Sequence, residues 1–523
     1  MAAATSFAPS LARPATNKWL VAVAVALGAL LEIIDTSIVN VALTEMQASL
    51  GATLTQMSWV VSSYAIANVI ILPLSAWLGY RFGKKRYFLF SLVGFTVASV
   101  LCGLSTSLWM LTVARVLQGL FGGGLLAKAQ AILFETFPRE EQAKAQGFFG
   151  AIVIAGPVIG PTLGGTIVTN IGWRWIFFIN VPVGIAAVAM CMYALPEDPE
   201  SKSRAPVDWL AIALLAIGLG SFQTFLEEGH SDDWFESTFI CAMAAAAVVG
   251  VVAFVFRVLR SAHPVVDLRV LRHRSLAAGS ALSVVVGMAL YGALFAVPIF
   301  AANVMRYTAQ DVGFLLLPGA LASAVMMPVA ATLTKKVDAR FLLGGGAVIL
   351  AIAVFWLGRL SPLTGSSDLF WPLLVRAFGT IFMFLPLSML SLGSLPKSEV
   401  AAGTALYNLT RQLGGSIGVA LLTTLLGSRT ALHRENAALH LSLTSPEVQA
   451  RLTALTAGFT QKGADPVTAK QQALTVLDGS VRLQASVQAF NDTFFVTGVL
   501  IIVTLPLVFL MAKPNQATAV DAH

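Results

Sequence analysis

Charge is scarce in this chain. Only 11% of its 523 residues are Asp, Glu, Lys or Arg, against about 25% in a soluble domain, which excludes an ordinary water-soluble globular protein. Cysteine is scarcer still. Cys102, Cys191 and Cys241 each lie in an apolar stretch, without the spacing of a disulfide framework or a thiolate metal site. No catalytic triad, metal cluster or phosphate-binding glycine loop is present, so neither enzymatic chemistry nor a metal or cofactor is expected. Nor is a nucleic-acid partner.

What remains is apolar: 57% of the residues are hydrophobic. Runs long enough to cross a bilayer fall at 18–43, 56–79, 86–104, 108–134, 143–170, 175–195, 207–226, 237–256, 276–303, 309–333, 341–360, 369–394, 398–427 and 486–511. This predicts an all-α polytopic membrane protein of fourteen spans, with the lipid bilayer as its solvent. Arg13 and Lys18 precede the first run, but no small-residue cleavage site follows, so the first helix is expected to be retained.

Loops after even-numbered spans are basic, among them Arg81, Lys84, Lys85 and Arg86, then Arg257, Arg260, Arg269 and Arg272. The loop between spans seven and eight is acidic, with Glu227, Glu228, Asp232, Asp233 and Glu236. The positive-inside rule then places both termini in the cytoplasm. The pattern divides into a six-helix half at 1–195, two linker helices with flanking polar segments at 196–275, and a second six-helix half at 276–523. Arg115-Val-Leu-Gln118-Gly119 in span four and Arg376-Ala-Phe-Gly379 in span twelve form a faint internal repeat. Repeated halves are a common plan of secondary transporters, with sites at the midplane between them.

Asp35 lies inside the first span, where a carboxylate costs roughly 2.5–3.5 kcal/mol on insertion scales. Glu32, three residues earlier, shares its helix face. Acids at this depth face a cavity, a proton path or a cationic partner; the plainer alternative is a helix end dipping into the interface. Helix rise places Asp35 ~7 Å and Arg115 ~9 Å to the same side of the midplane. The two are expected to interact, directly or through Gln118, either as a proton-loading pair or as a static ion pair. Glu32 is left as a second proton site, an anchor for cationic compounds, or a neighbour without a role. In span five, Gly156, Gly160 and Gly164, with Gly165 beside them, make a smooth stripe for helix packing, and Pro157 and Pro161 interrupt the hydrogen-bond ladder.

Gly156-x-x-x-Gly160-Pro161-x-x-Gly164-Gly165 resembles the antiporter signature of the major facilitator superfamily. Ile34-Asp35-Thr36-Ser37-Ile38-Val39-Asn40 is similar to the first-helix motif of its fourteen-span drug:proton antiporters, and Arg115-Val-Leu-Gln118-Gly119 to the fourth-helix motif. Trp173-Arg-Trp-Ile-Phe-Phe-Ile-Asn-Val-Pro182, Pro264-Val-Val-Asp267-Leu268 and Asn408-Leu-Thr-Arg411-Gln412 extend the likeness through most of the chain. Tyr80 stands where the loop after span two often carries an acid in that family, and Thr44 where the first-helix motif often ends in proline. The resemblance implies a major facilitator fold, proton-coupled export of hydrophobic or amphipathic drugs by alternating access, and a bacterial inner-membrane location. It also implies a periplasmic adaptor and an outer-membrane channel as partners, with the proton gradient in place of a cofactor.

A multidrug pocket is large and apolar with few polar anchors. Candidates for its lining are Gln118, Tyr64, Asn68, Tyr291, Phe295, Phe382, Tyr407 and Asn408, with Arg411 either lining the cavity or tying the halves together. Lys128 and Arg376 have the simpler reading of snorkelling toward a helix end. The segment 428–484 reads as a long periplasmic loop in which Ser445-Pro446 and Asp465-Pro466 each open a short helix. Two rival readings remain: an exporter of the same fold dedicated to one solute, such as a fatty acid or siderophore, and a non-transporting membrane sensor or scaffold.

Overall fold

The computed structural model describes residues 17–198, 206–440 and 445–511, apart from a few side chains within helices, Tyr291 among them. In the N-terminal half the helices are α1 (Lys18–Leu50), α2 (Leu54–Phe82), α3 (Lys84–Gly103), α4 (Leu108–Gly122), α5 (Leu125–Thr136), α6 (Arg139–Asn170), α7 (Trp175–Phe178) and α8 (Asn180–Ala194). Then come α9 (Trp209–Glu228) and α10 (Thr238–Arg260). The C-terminal half holds α11 (Arg274–Asn303), α12 (Ala309–Lys336), α13 (Ala339–Leu357), α14 (Ser366–Leu392), α15 (Val400–His440), α16 (Pro446–Gln461) and α17 (Pro466–Thr504).

Thirteen stretches are long and apolar enough to cross a membrane among the described residues. The 30-residue α11 completes fourteen. One of the spans is interrupted by a non-helical turn. Span four breaks into α4 and α5 at Gly123–Gly124, where Gly124 takes φ +81°, a conformation that disfavours any side chain. Span six, divided here into α7 and α8, runs on through Ile179, which keeps helical dihedrals.

Polar residues sit where the backbone needs partners. Thr53 and Gln56 form a reciprocal capping box at the start of α2, and Thr308 and Asp311 form another at α12. Tyr80, where the resemblance leads one to expect an acid, lies in the last turn of α2, yet a carboxylate reaches the α2–α3 junction from elsewhere. Asp198, beyond α8, accepts from the Lys85 N–H at 2.9 Å and the Arg86 N–H at 3.0 Å. It thereby caps α3, where the helix dipole favours negative charge. The Lys85 ammonium donates to the carbonyls of Met192 and Leu195, each at 2.9 Å.

Phe88, Phe95 and Phe149 anchor an apolar core within the N-terminal half, while the larger cluster around Phe300, Phe490 and Phe494 of the C-terminal half also takes in Leu72, Phe134 and Val158 of the first. The halves meet along α6 and α12, where Ala143 clusters with Met327, Ala331 and Phe384. They meet again where α15 packs on α2 and α5. Helix α9 lies against both α2 and α15.

The 428–484 segment differs from the loop expected of it. Helix α15 runs on to His440, and Asp465 caps a 39-residue helix, not a short one. Ser445 does open a short helix, accepting from the Val448 N–H with Pro446 in the first turn. The polar composition hid the continuation: Arg434 of α15 pairs with Asp478 of α17, and Arg482 pairs with the same acid one turn along α17, so charge is satisfied on the helices themselves.

Candidate functional site

Asp35 and Arg115 meet in the N-terminal half, 0% and 1% exposed. Arg115 Nη1 donates to Asp35 Oδ2 at 2.5 Å. Gln118 Nε2 donates to Asp35 Oδ1 at 2.8 Å, and its own Oε1 accepts from Arg115 Nη1 at 2.7 Å. The guanidinium is further fixed by Nε, which donates to the Val60 carbonyl at 3.0 Å, and by the Tyr64 ring, 4.2 Å away. The two charges meet as helix rise predicts, and Gln118 bonds to both.

Asn180 was not singled out from the sequence. Its Nδ2 donates to Asp35 Oδ1 at 3.0 Å and to Ser99 Oγ at 3.0 Å. The signal was available: it is the one amide side chain in the apolar run Trp175–Ala194. With it, the carboxylate accepts three charge-assisted or polar hydrogen bonds, the arrangement that makes a buried charge tolerable.

Glu32 has a separate environment. Its Oε1 accepts from Asn68 Nδ2 at 2.9 Å and its Oε2 from the Leu126 N–H at 2.8 Å. Leu126 lies in the first turn of α5, so the glycine break exposes a backbone donor and Glu32 satisfies it. A carboxylate at the N-terminus of a broken membrane helix is a recurring ion-site geometry. Lys128 does not snorkel. Its ammonium is buried, 2.7 Å from Ser91 Oγ and 3.9 Å from the centre of the Tyr87 ring.

The glycine stripe of α6 packs on the acid-bearing helix. A methyl added at Gly156 would meet Ile33, at Gly160 would meet Ser37 and at Gly164 would meet Ile38. The same helix contacts α12, where Gly147 faces Ala331 and Thr162 faces Gly313. One helix therefore touches both the surroundings of Asp35 and the opposite half.

A cavity of about 60 Å³ lies between α6, α12, α14 and α15. Pro157, Leu316, Thr380 and Phe384 line it, together with Arg376 and Arg411. It has room for only a few waters and is well below the ~300 Å³ of a drug site, so a large cargo requires the halves to separate. Arg376, whose sequence position suggested a snorkelling group, turns inward to this cavity.

The expected lining residues distribute unevenly. Arg411 lines the cavity and donates through Nη2 to Asn408 Oδ1 at 2.8 Å. Asn408 donates across the halves to Gln130 Oε1 at 2.7 Å, a contact the sequence did not suggest. Tyr64, Asn68 and Gln118 are buried in the acid clusters. Tyr407 is fully buried, and Phe382 packs on α13 at Gly346. Phe295 is partly buried on α11, and the Tyr291 side chain lies outside the described residues. Spacing of three or four residues shows that side chains share a face, but not what that face meets. Among the described residues no cluster of three or more metal-ligating side chains occurs.

The Major Facilitator Superfamily model matches residues 25–419. This chain belongs to that superfamily. Multidrug export protein EmrB of Escherichia coli (strain K12) is 32% identical over 500 residues, 95% of this chain and 96% of that protein. Fatty acid resistance protein FarB of Neisseria gonorrhoeae is 30% identical over 503 residues, 96% and 97% of the two chains. The crystal structure of the human organic anion transporter MFSD10 (TETRAN) superposes with a TM-score of 0.59 over 95% of this chain and 100% of that one. At 13% identity it speaks to the fold alone. The superfamily membership and the fourteen spans make this a multi-pass membrane protein with two six-helix halves and two extra central helices.

Proposed function

We propose that this protein is a proton-driven exporter of hydrophobic and amphipathic compounds, seated in the bacterial inner membrane with both termini in the cytoplasm. The likeness to EmrB over nearly the full length supports multidrug efflux. The observation that carries proton coupling is the Asp35–Arg115 pair, buried beside the glycine stripe of α6. The proton gradient is the energy source, no cofactor takes part, and the protein is a transporter, not an enzyme.

In this reading Asp35 accepts and releases the proton. The ionised carboxylate is held by Arg115, Gln118 and Asn180. Protonation removes its charge and weakens all three bonds, while Arg115 keeps the Val60 carbonyl and Gln118. The loosened α1 then shifts against α6, and α6 transmits that shift to α12 in the opposite half. A proton moves the conformational equilibrium only by its differential affinity for the two states; the change in Asp35's bonding supplies that difference. Glu32 acts beside it as the acid that sets the start of α5. Within the 428–484 segment, α16 packs on the extended α17, and this helical pair is the surface offered to a periplasmic adaptor that leads to an outer-membrane channel.

The test is flux in proteoliposomes with an imposed pH gradient and a panel of hydrophobic compounds. Gradient-driven export by the wild type, lost in Asp35→Asn, is expected. Export by that variant at the wild-type rate overturns the coupling role, and ligand binding without flux in the wild type favours a sensor.

A further inference from the structure

Helix α9 and the tip that follows it grip both halves through side chains outside the Asp35 cluster. Toward the N-terminal half, Glu228 accepts from Ser62 Oγ at 2.7 Å and from Ser58 Oγ at 3.0 Å, both on α2. Toward the C-terminal half, Gln223 Nε2 donates to Ser416 Oγ of α15 at 2.7 Å and to Glu227 Oε1 at 2.8 Å. Trp234 Nε1 donates to Thr424 Oγ1 of α15 at 3.1 Å. That indole is presented by two successive left-handed residues, Asp233 at φ +54° and Trp234 at φ +51°. Side chains rarely adopt this conformation unless their surroundings enforce it.

Glu228 is 2% exposed, and its partners are neutral hydroxyls. Neither it nor Glu227 forms an ion pair among the described residues. Both acids stand in the last turn of α9, where the helix dipole opposes negative charge. Gln223 Oε1 is buried without a partner, and a protonated Glu227 would supply the donor it lacks. The packed elements bring no compensating charge. On α2 no ionisable side chain lies between Leu54 and Ser63, and α10 has the Cys241 thiol but no charge before Arg257. The outer cations of α15, Arg429 and His433, pair with Asp492. The tip itself carries Asp232, Asp233, Glu236 and the exposed His230, which lies against Gly427 of α15. Nearer the cytoplasm, the hydrogen bond between the halves from Asn408 to Gln130 joins neutral amides and has nothing to titrate.

We propose that α9 and its tip form an outer strap that protons from the periplasm release. The proposal rests on the export reading for the side of the membrane it faces, and adds a regulation of the same cycle. With Glu227 and Glu228 ionised, the strap ties α2 to α15 and holds the outer ends of the halves together. Hydrogen bonds to a carboxylate are roughly twice as strong as neutral ones. Protonated Glu228 keeps only neutral bonds to the serines, so the hold on α2 weakens and the outer ends part. The proton enters from the periplasm and returns there, so the strap adds nothing to the protons carried per cycle. Acid outside, which drives the exchange, thereby also favours the state that discharges cargo.

The test places spin labels at the outer ends of α2 and α15 of the full-length protein in phosphatidylcholine nanodiscs. An Asp35→Asn background removes any response of Asp35 itself. The share of the longer distance is expected to rise as pH is lowered from about 8 to about 5. Glu228→Gln, neutral at every pH, is expected to raise the open-to-closed ratio about fivefold at the upper pH and to remove most of the pH response. Ser58→Ala with Ser62→Ala is expected to do the same with the acid in place, and His230→Gln to leave the response intact. A distribution independent of pH in the Asp35→Asn background, which needs no strap variant to fold, overturns the proposal. So does a response that survives Glu228→Gln, or one lost in His230→Gln alone. Proton-driven dye efflux by the wild type is measured in parallel. Its absence with the pH response intact sinks the export reading and not the strap.

Discussion

The Glu32 carboxylate accepts a hydrogen bond from the backbone N–H of Leu126 at 2.8 Å, joining the first helix to the broken fourth span. Without that acceptor the amide at the start of α5 is stranded in an apolar interior, as is Asn68 Nδ2. An unsatisfied buried donor costs about 1–3 kcal/mol. Glu32→Ala is therefore expected to lower the thermal midpoint of the purified protein clearly more than Glu32→Gln, which keeps an acceptor for Leu126. Equal midpoints for the two variants would show that the capping bond contributes nothing.

Asp35 and Arg115 depend on each other unequally. Arg115→Ala leaves a carboxylate buried without its cation, a change of about 3–5 kcal/mol for buried pairs. Asp35→Asn keeps shape and polar contacts and removes only the titrating group. The first variant is expected to express poorly or unfold early in fluorescence size-exclusion. The second should remain monodisperse and fail in proton-driven flux.

Gly160 leaves no room for a side chain: an added methyl would stand 1.9 Å from Ser37 Oγ. Gly160→Ala is expected to destabilise by about 1–3 kcal/mol through overpacking and to slow export. Adding Ser37→Gly removes the obstructing atoms and is expected to recover part of both losses. A double-mutant cycle with no coupling would mean that this helix contact is not the constraint.

Helix α9 is bonded to both halves at once. Glu228 accepts from Ser58 at 3.0 Å and from Ser62 at 2.7 Å on α2, while Gln223 donates to Ser416 on α15 at 2.7 Å. Such a tie favours whichever conformation allows both contacts. Gln223→Leu removes one hydrogen bond of about 1 kcal/mol, worth roughly a fivefold shift in population. Spin labels on α2 and α15 are expected to report a larger share of a second distance in this variant; a distribution identical to the wild type argues against a strap.

The spans were legible because lipid demands long apolar runs, and Asp35 stood out because a charge there is costly. Its pairing with Arg115 was legible because helix rise converts sequence position into depth. Other features were not, for identifiable reasons. The break in span four lies in Gly122-Gly123-Gly124, which composition cannot distinguish from the packing glycines of α6; the positive φ at Gly124 distinguishes it. Asn180 is chemically unremarked until Asp35 is placed beside it. Arg376 looked like a helix-end group because depth alone does not show whether a side chain faces lipid or cavity. The extension of α15 and α17 was hidden by their polar residues, since helical hydrogen bonds form within the backbone whatever the side chains carry.

Arg115 is anchored to the Val60 carbonyl as well as to Asp35, and this has an electrical consequence. With the carboxylate ionised, the pair is neutral. With it protonated, the anchored guanidinium leaves the half with one uncompensated positive charge inside the membrane. The loaded and unloaded carriers therefore feel the transmembrane voltage differently, by up to about 2.3 kcal/mol per 100 mV for a charge that crosses the whole field. In the proposed cycle, a negative interior pulls the protonated form toward a cytoplasmic release step, and the voltage then adds to the pH gradient as a driving force for the return stroke.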